Sequence, residues 1–176
     1  MIFLSEDNVL IHKDCINTKR LQYSILEKSI DGIKGKTVGQ ILSMKLSRRD
    51  KYDVSELLAD ITLHDIFFNS FTDTAYIQPC EIGELCGSVS SLMSEIYKSS
   101  MRLNYGFVAV VASGKYVTVI SGDKPVSFFE VGIPVLAIDV CEHAYFKDYL
   151  FDKERYILSA LPYLDLGKIS EFYREY

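Results

Sequence analysis

The chain has 176 residues, 48% hydrophobic and 24% charged, and carries 19 Lys and Arg against 24 Asp and Glu for a formal net charge of −5. That is enough chain and enough apolar residue for one domain, or two small ones, with a real core. The acidic balance and the scattered basic residues argue against nucleic-acid binding, and no apolar run approaches the ~20 residues of a membrane span.

Residues 1–16 read as irregular or weakly extended. Asn17 caps a helix that turns Leu21, Ile25 and Leu26 inward and ends near Asp31-Gly32. The stretch from Thr37 to Lys45 gives a short second helix, with Val38, Ile41 and Leu42 on one face. Asp53-Val54-Ser55-Glu56 reads as a capping box, and the helix it opens carries Leu57, Ile61, His64 and Phe68 on one stripe. A loop from Thr72 to Pro79 leads to a helix from about Ile82 to Met101. The period then changes. Tyr105 to Ala112 and Tyr116 to Ser121 are β-branched and aromatic runs joined at Ser113-Gly114-Lys115, a hairpin signal. Gly122 to Pro125 is a second turn, Gly132 to Val140 a third strand buried on both faces, and 143–161 and 167–175 return to helix. The expected fold class is α+β: a helical N-terminal domain, 1–79, then an α+β domain, 80–176, built on a small antiparallel meander flanked by helices.

The four cysteines, 15, 80, 86 and 141, include no CxxC pair, so free thiols in a reducing compartment are expected. The N-terminus lacks the basic and apolar regions of a secretory signal, which points to the cytoplasm. The chemistry concentrates where the third strand ends. Asp139 and His143 stand four residues apart at the edge of a dry core, and His64 lies on the apolar stripe of its helix. Imidazole and carboxylate together suit a first-row metal ion. The competing reading makes His64 a core histidine bonded to a carbonyl and Asp139 a cap of the following helix.

The segment Pro134-Val-Leu-Ala-Ile-Asp-Val-Cys-Glu-His-Ala-Tyr-Phe-Lys-Asp-Tyr149 resembles the C-terminal signature of the iron/manganese superoxide dismutases, roughly P-x-L-x-x-D-V-W-E-H-A-Y-Y-x-x-Y. The likeness continues through Arg155-Tyr156 and Leu164 to Ile169. Leu63-His64-Asp65-Ile66-Phe67-Phe68 is similar to the family's N-H-x-x-F-W helix segment, and Thr18-Lys19-Arg20-Leu21-Gln22-Tyr23 to the approach to its first ligand.

The resemblance implies a metal, Fe or Mn, held by three His and one Asp. It assigns His64, Asp139 and His143 as ligands and places Ser24 at the fourth position, a hydroxyl where the family has His. His12 lies twelve residues earlier, cannot occupy the same place on the same helix, and is not expected to replace it. Cys141 stands where the signature has Trp, and Asp60 occupies one of the two places from which the family draws a Gln beside the metal. The family's active-site Tyr has no clear counterpart. Cys141 reads either as a thiolate near the metal or, preferably, as a small hydrophobe filling the space of the missing ring. Asp60 is either a stand-in ligand or a solvated residue of its helix face. Glu142 matches the glutamate that bridges to the partner subunit's ligand His in the family, which implies a homodimer. Two functions follow as expectations: a superoxide dismutase-like metalloprotein, weak or altered in activity because of Ser24, or a catalytically inactive dimer with a structural or interaction role. The catalytic residues beyond the ligands are unknown from the sequence.

Overall fold

The computed structural model of the chain describes residues 1–74 and 87–175. In chain order its elements are α1 (Glu6–Ser29), α2 (Val38–Ser43), α3 (Arg48–Asn69), α4 (Val89–Arg102), β1 (Phe107–Ser113), β2 (Tyr116–Gly122), α5 (Pro125–Val131), β3 (Ile133–Asp139), α6 (Glu142–Tyr149), α7 (Lys153–Ala160) and α8 (Gly167–Glu175). The order is the expected α+β one, helices first and then a three-stranded antiparallel sheet among helices. The expected start of the fourth helix at Ile82, and Cys80 and Cys86, lie outside the described residues.

Several local expectations change. Residues 6–16 are helix, not extended chain. Ser5 is the cap, its Oγ accepting the Asn8 N–H at 3.2 Å, and Glu6 and Asp7 in the first turn face the positive end of the helix dipole. Asn17 is therefore inside α1. Likewise α3 is capped by Ser47, whose Oγ accepts the Asp50 N–H at 3.1 Å, so Asp53 sits within the helix. In α2, Thr37 and Gln40 form a reciprocal capping box. The sheet order is β2-β1-β3, with β1 in the centre, so the third strand returns beside the first instead of extending a meander. Helix α5, started by Pro125 at its first turn, makes that crossing. Leu150, at positive φ, separates α6 from α7 within what reads in sequence as one helix.

Strand β1 is buried along its length except at Ser113, and β3 is buried from Leu136 onward. Helices packed against β1 and β3 account for this. The main core joins them to Leu63 and Phe67 of α3, Leu92 and Ile96 of α4, Tyr156 and Ile157 of α7, and Ile169 of α8. A smaller cluster of Ile33, Ile41 and Val54 seats α2 on α3. Register brings Phe107, at the start of β1, opposite Asp139, at the end of β3.

Helix α1 is pinned to α6 through polar contacts. Buried Asn8 donates from Nδ2 to the Ala144 carbonyl and accepts the Lys147 N–H at 3.2 Å. Asp148 accepts the Ser5 N–H at 2.8 Å, and the Tyr149 hydroxyl donates to the Phe3 carbonyl. These contacts fix the rotation and register of α1. They turn Asn8, His12 and Ile16, spaced four apart, into the protein.

Candidate metal centre

Asp139 closes β3 with its two carboxylate oxygens divided between two tasks. Oδ1 accepts the Cys141 N–H at 2.8 Å and shapes the entry to α6. Oδ2 faces three imidazoles: His12 Nε2 at 3.0 Å, His143 Nε2 at 3.0 Å and His64 Nε2 at 3.4 Å. The helix-cap reading of Asp139 is corrected: Cys141 is the N-cap of α6 and, among the described residues, no side chain caps that helix, while Oδ2 is left to face the imidazoles.

The converging atoms are close without being hydrogen-bonded. Nε2 of His12, His64 and His143 and Oδ2 of Asp139 are all buried and lack a hydrogen-bond partner among the described residues. They aim at a common centre instead of at one another. All four lie within 4.8 Å of one another. An ion with bonds of roughly 2.1 Å to nitrogen and oxygen separates its ligand atoms by about 3–4 Å; the 3.0–3.4 Å from Asp139 Oδ2 to the three imidazoles fall in that range, and the set as a whole spans slightly more, up to 4.8 Å. The donor set, three neutral nitrogens and one carboxylate, suits a first-row divalent or trivalent metal.

The surroundings prepare these groups as ligands. His64 Nδ1 donates to the Asp60 carbonyl at 2.7 Å, which leaves the Nε2 lone pair free to face the centre. Burial, reinforced by His143 and His64, lowers the His12 pKa against the pull of Asp139, so its imidazole is neutral. Burial opposes ionisation of Asp139, but the three imidazoles hold its carboxyl well below the usual carboxylate range. Phe67, Phe68 and Phe107 wall the cluster, their rings 4.8–5.0 Å from His12 or His64. Tyr156 braces Asp139 from behind, donating to its carbonyl at 2.9 Å.

Of the sequence-predicted residues, the structure brings His64, Asp139 and His143 together and sets Ser24 apart. The expectation that Ser24 fills the fourth position and that His12 does not is corrected. Ser24 is twelve residues beyond His12 on α1, about 18 Å along the helix axis, and its hydroxyl donates to the Leu21 carbonyl at 2.7 Å. His12 is fully buried and completes the cluster. The signal that finds it is the Ser5 cap, which starts α1 early enough for His12 to lie in mid-helix.

Asp60 does not join the cluster. Its carboxylate pairs with Lys19 through Oδ2, and Oδ1 lies 3.6 Å from His64 Nδ1, on the outer edge of that ring. Cys141 also stays out of the converging set. Its sulfur accepts the Gly106 N–H at 3.2 Å, and burial together with the nearby Asp139 pushes the thiol pKa up, so it is a neutral thiol. Beside it opens a cavity of about 500 Å³ lined in part by His64, His143, Phe107 and Cys141. Glu142 is exposed, next to His143, whose side chain is 30% exposed.

Fold and site together define a small α+β protein with a buried cluster of three imidazoles and one carboxylate, a group suited to a single metal ion. The sequence matches the iron/manganese superoxide dismutases, C-terminal domain, over residues 80–171, just over half of the chain, and the protein belongs to the iron/manganese superoxide dismutase family. The match contains Asp139 and His143. His12 and His64 come from the N-terminal helices outside it. A comparison with curated proteins finds no match. Among the described residues no helix is long and apolar enough to cross a membrane.

Proposed function

We propose that the protein is a metalloprotein that holds one Fe or Mn ion through His12, His64, Asp139 and His143 and that it dismutates superoxide with a rate altered by the unusual surroundings of its ligands. The observation that carries the reading is the set of four buried, unpartnered atoms aimed at one centre. Leaving such groups unsatisfied is costly, by about 1–3 kcal/mol each, and a bound cation removes the cost.

When bound, the ion supplies a one-electron couple, so that two superoxide ions and two protons become dioxygen and hydrogen peroxide. The chain's own part is electrostatic and steric. Asp139 contributes one negative charge against the positive ion, the imidazoles contribute none, and the phenylalanine walls keep bulk water from the buried face. Asp60, through its carbonyl, holds the orientation of His64. The test is elemental analysis of the purified protein with a superoxide assay on the same sample. About one Fe or Mn per chain with metal-dependent activity is expected. Protein that takes up neither metal on refolding refutes the reading.

One observation favours the alternative, a metal-bound or metal-free dimer without dismutase activity. The cavity that reaches His64 and His143 is lined by Asp53, Glu56, Asp60 and Asp123 with Lys19 as the one cation among the described residues that line it, a field that repels an anion. Metal content without activity would select it. In either case the chain is proposed to act in the cytoplasm as a homodimer through the face that carries Glu142. That face is apolar for an exposed surface: Phe146 and Phe151 stack edge to face at 5.2 Å and, with Leu150, are exposed. Sedimentation at micromolar concentration tests this, and a monomer there refutes it.

A further inference from the structure

We propose that the cavity beside His64 and His143 is a binding site for a small organic cation, an amine carrying an apolar body. The inference rests on the cavity alone and does not require that the metal be bound. At about 500 Å³ the space is in the range of small-molecule sites, far more than a water or a diatomic ion occupies.

Its walls are of two kinds. Leu26 of α1, Leu57 of α3, Phe107 of β1 and Pro125 of α5 give an apolar surface that suits a hydrocarbon body. The carboxylates stand over it, Asp53, Glu56 and Asp60 from one face of α3 and Asp123 from the turn after β2. Two of the four have cationic partners: Asp60 is paired with Lys19, and Asp53 lies 3.7 Å from Arg49. Among the described residues the other two form no ion pair. Glu56 accepts the Val126 N–H at 3.1 Å, and Asp123 accepts the Tyr105 hydroxyl at 2.9 Å, so both are oriented by neutral donors. Lys124, next to Asp123, acts on Glu56 only through space. Partial burial pushes the Glu56 carboxyl up, the condition a neighbouring cation relieves.

Aromatic rings complete the site. Tyr52 and Tyr105, both more than half exposed, flank the opening, and Phe107 lies deeper. Carboxylates beside aromatic faces are the arrangement that recognises ammonium groups, by charge and by attraction to the ring quadrupole. The same charges disfavour a carboxylate or phosphate ligand of equal size. A bound amine would lie against the outer edges of His64 and His143, next to the ligand cluster and not in it.

The experiment titrates the purified protein, metal-loaded and metal-free, with phenethylammonium, 2-phenylethanol and phenylacetate, which share a body and differ in charge. Calorimetry gives affinity, and ring-proton shifts of His64 and His143 give location. One amine per chain is expected in both metal states, with phenylacetate at least about tenfold weaker and the alcohol between them. Glu56→Gln with Asp123→Asn, which keeps both hydrogen-bond acceptors, should weaken the amine about tenfold and leave the alcohol unchanged. If that double variant fails to fold, Leu57→Trp, which fills the apolar wall, should abolish amine binding. Equal affinity for amine and acid, no binding of the amine in the millimolar range, or no effect of a folded variant overturns the proposal.

Discussion

The ligand cluster and the cavity beside it are neighbours with opposite character. Around the centre, His12, His64, Asp139 and His143 are packed by phenylalanine rings, with one carboxylate set against three imidazoles. One side chain further out, beside Cys141 and Asp60, a space of about 500 Å³ opens among carboxylates. The difference teaches that holding an ion and tuning it are separable. Ligation depends on four atoms placed by α1, α3 and β3–α6. Tuning depends on the groups around those atoms, here Cys141 and a set of carboxylates.

The sharpest way to break this comparison is to remove His12. His12→Ala should lower metal affinity by more than about 100-fold, beyond the range seen for groups that only support a ligand. Ser24→Ala, on the same helix, should leave metal content unchanged. Elemental analysis after dialysis against a chelator reads both. If Ser24→Ala empties the site and His12→Ala does not, the assignment of the fourth ligand is wrong. Asn8→Ala comes next. It removes two hydrogen bonds that fix α1 against α6, one buried and one partly buried, at a cost of about 2 kcal/mol, and should loosen metal binding by letting His12 move. Urea unfolding gives the first number; a chelator competition gives the second.

The site's acid sensitivity separates its buried half from its open half. Burial holds the His12 pKa below its ordinary 6.5 in the folded chain, so on acidification the unfolded chain takes up a proton that the native one refuses. The stability this contributes is fully present above about pH 6.5 and is lost as pH falls from there toward the depressed native value, by at most about 1.4 kcal/mol per pH unit. Asp139 adds a second loss of the same sign below its ordinary 3.8, because its native pKa is also depressed. Metal-free protein should therefore show a urea midpoint that declines below about pH 6.5. A midpoint that is flat between about pH 7 and pH 5 would mean that His12 is not held neutral.

Much of the fold is legible in the chain because strand periodicity, the Gly114 turn and the motif from Pro134 to Tyr149 all agree with the structure. The first helix is not, for a physical reason. Its buried face carries Asn8, His12 and Ile16, two of them polar, while Leu10, Leu21 and Ile25 are exposed. Hydrophobic periodicity therefore points to the solvent side of α1, and with it to Ser24. The residues that fix the helix do so by hydrogen bonds to a segment about 140 positions away, Asn8 to Ala144 and Lys147, which no local pattern reports. Helix α5 is hidden in another way: Gly122 to Pro125 is a turn signal, and Pro125 both ends the turn and begins the helix.

The smallest expected effect tests whether the tuning groups act through His64. Lys19 holds the Asp60 carboxylate by its Oδ2, leaving the Asp60 carbonyl as the acceptor of the His64 Nδ1–H at 2.7 Å while Oδ1 waits at 3.6 Å. In Lys19→Met the carboxylate loses its cation and is free to compete for that proton. A carboxylate acceptor makes the imidazole a stronger base than a carbonyl does, so metal should be held more tightly, by no more than about tenfold. Adding Asp60→Asn to Lys19→Met removes the competing charge and should return the affinity to its original value. If both variants match the parent, the backbone carbonyl alone orients His64, and the Asp60 carboxylate affects the cavity without reaching the ligands.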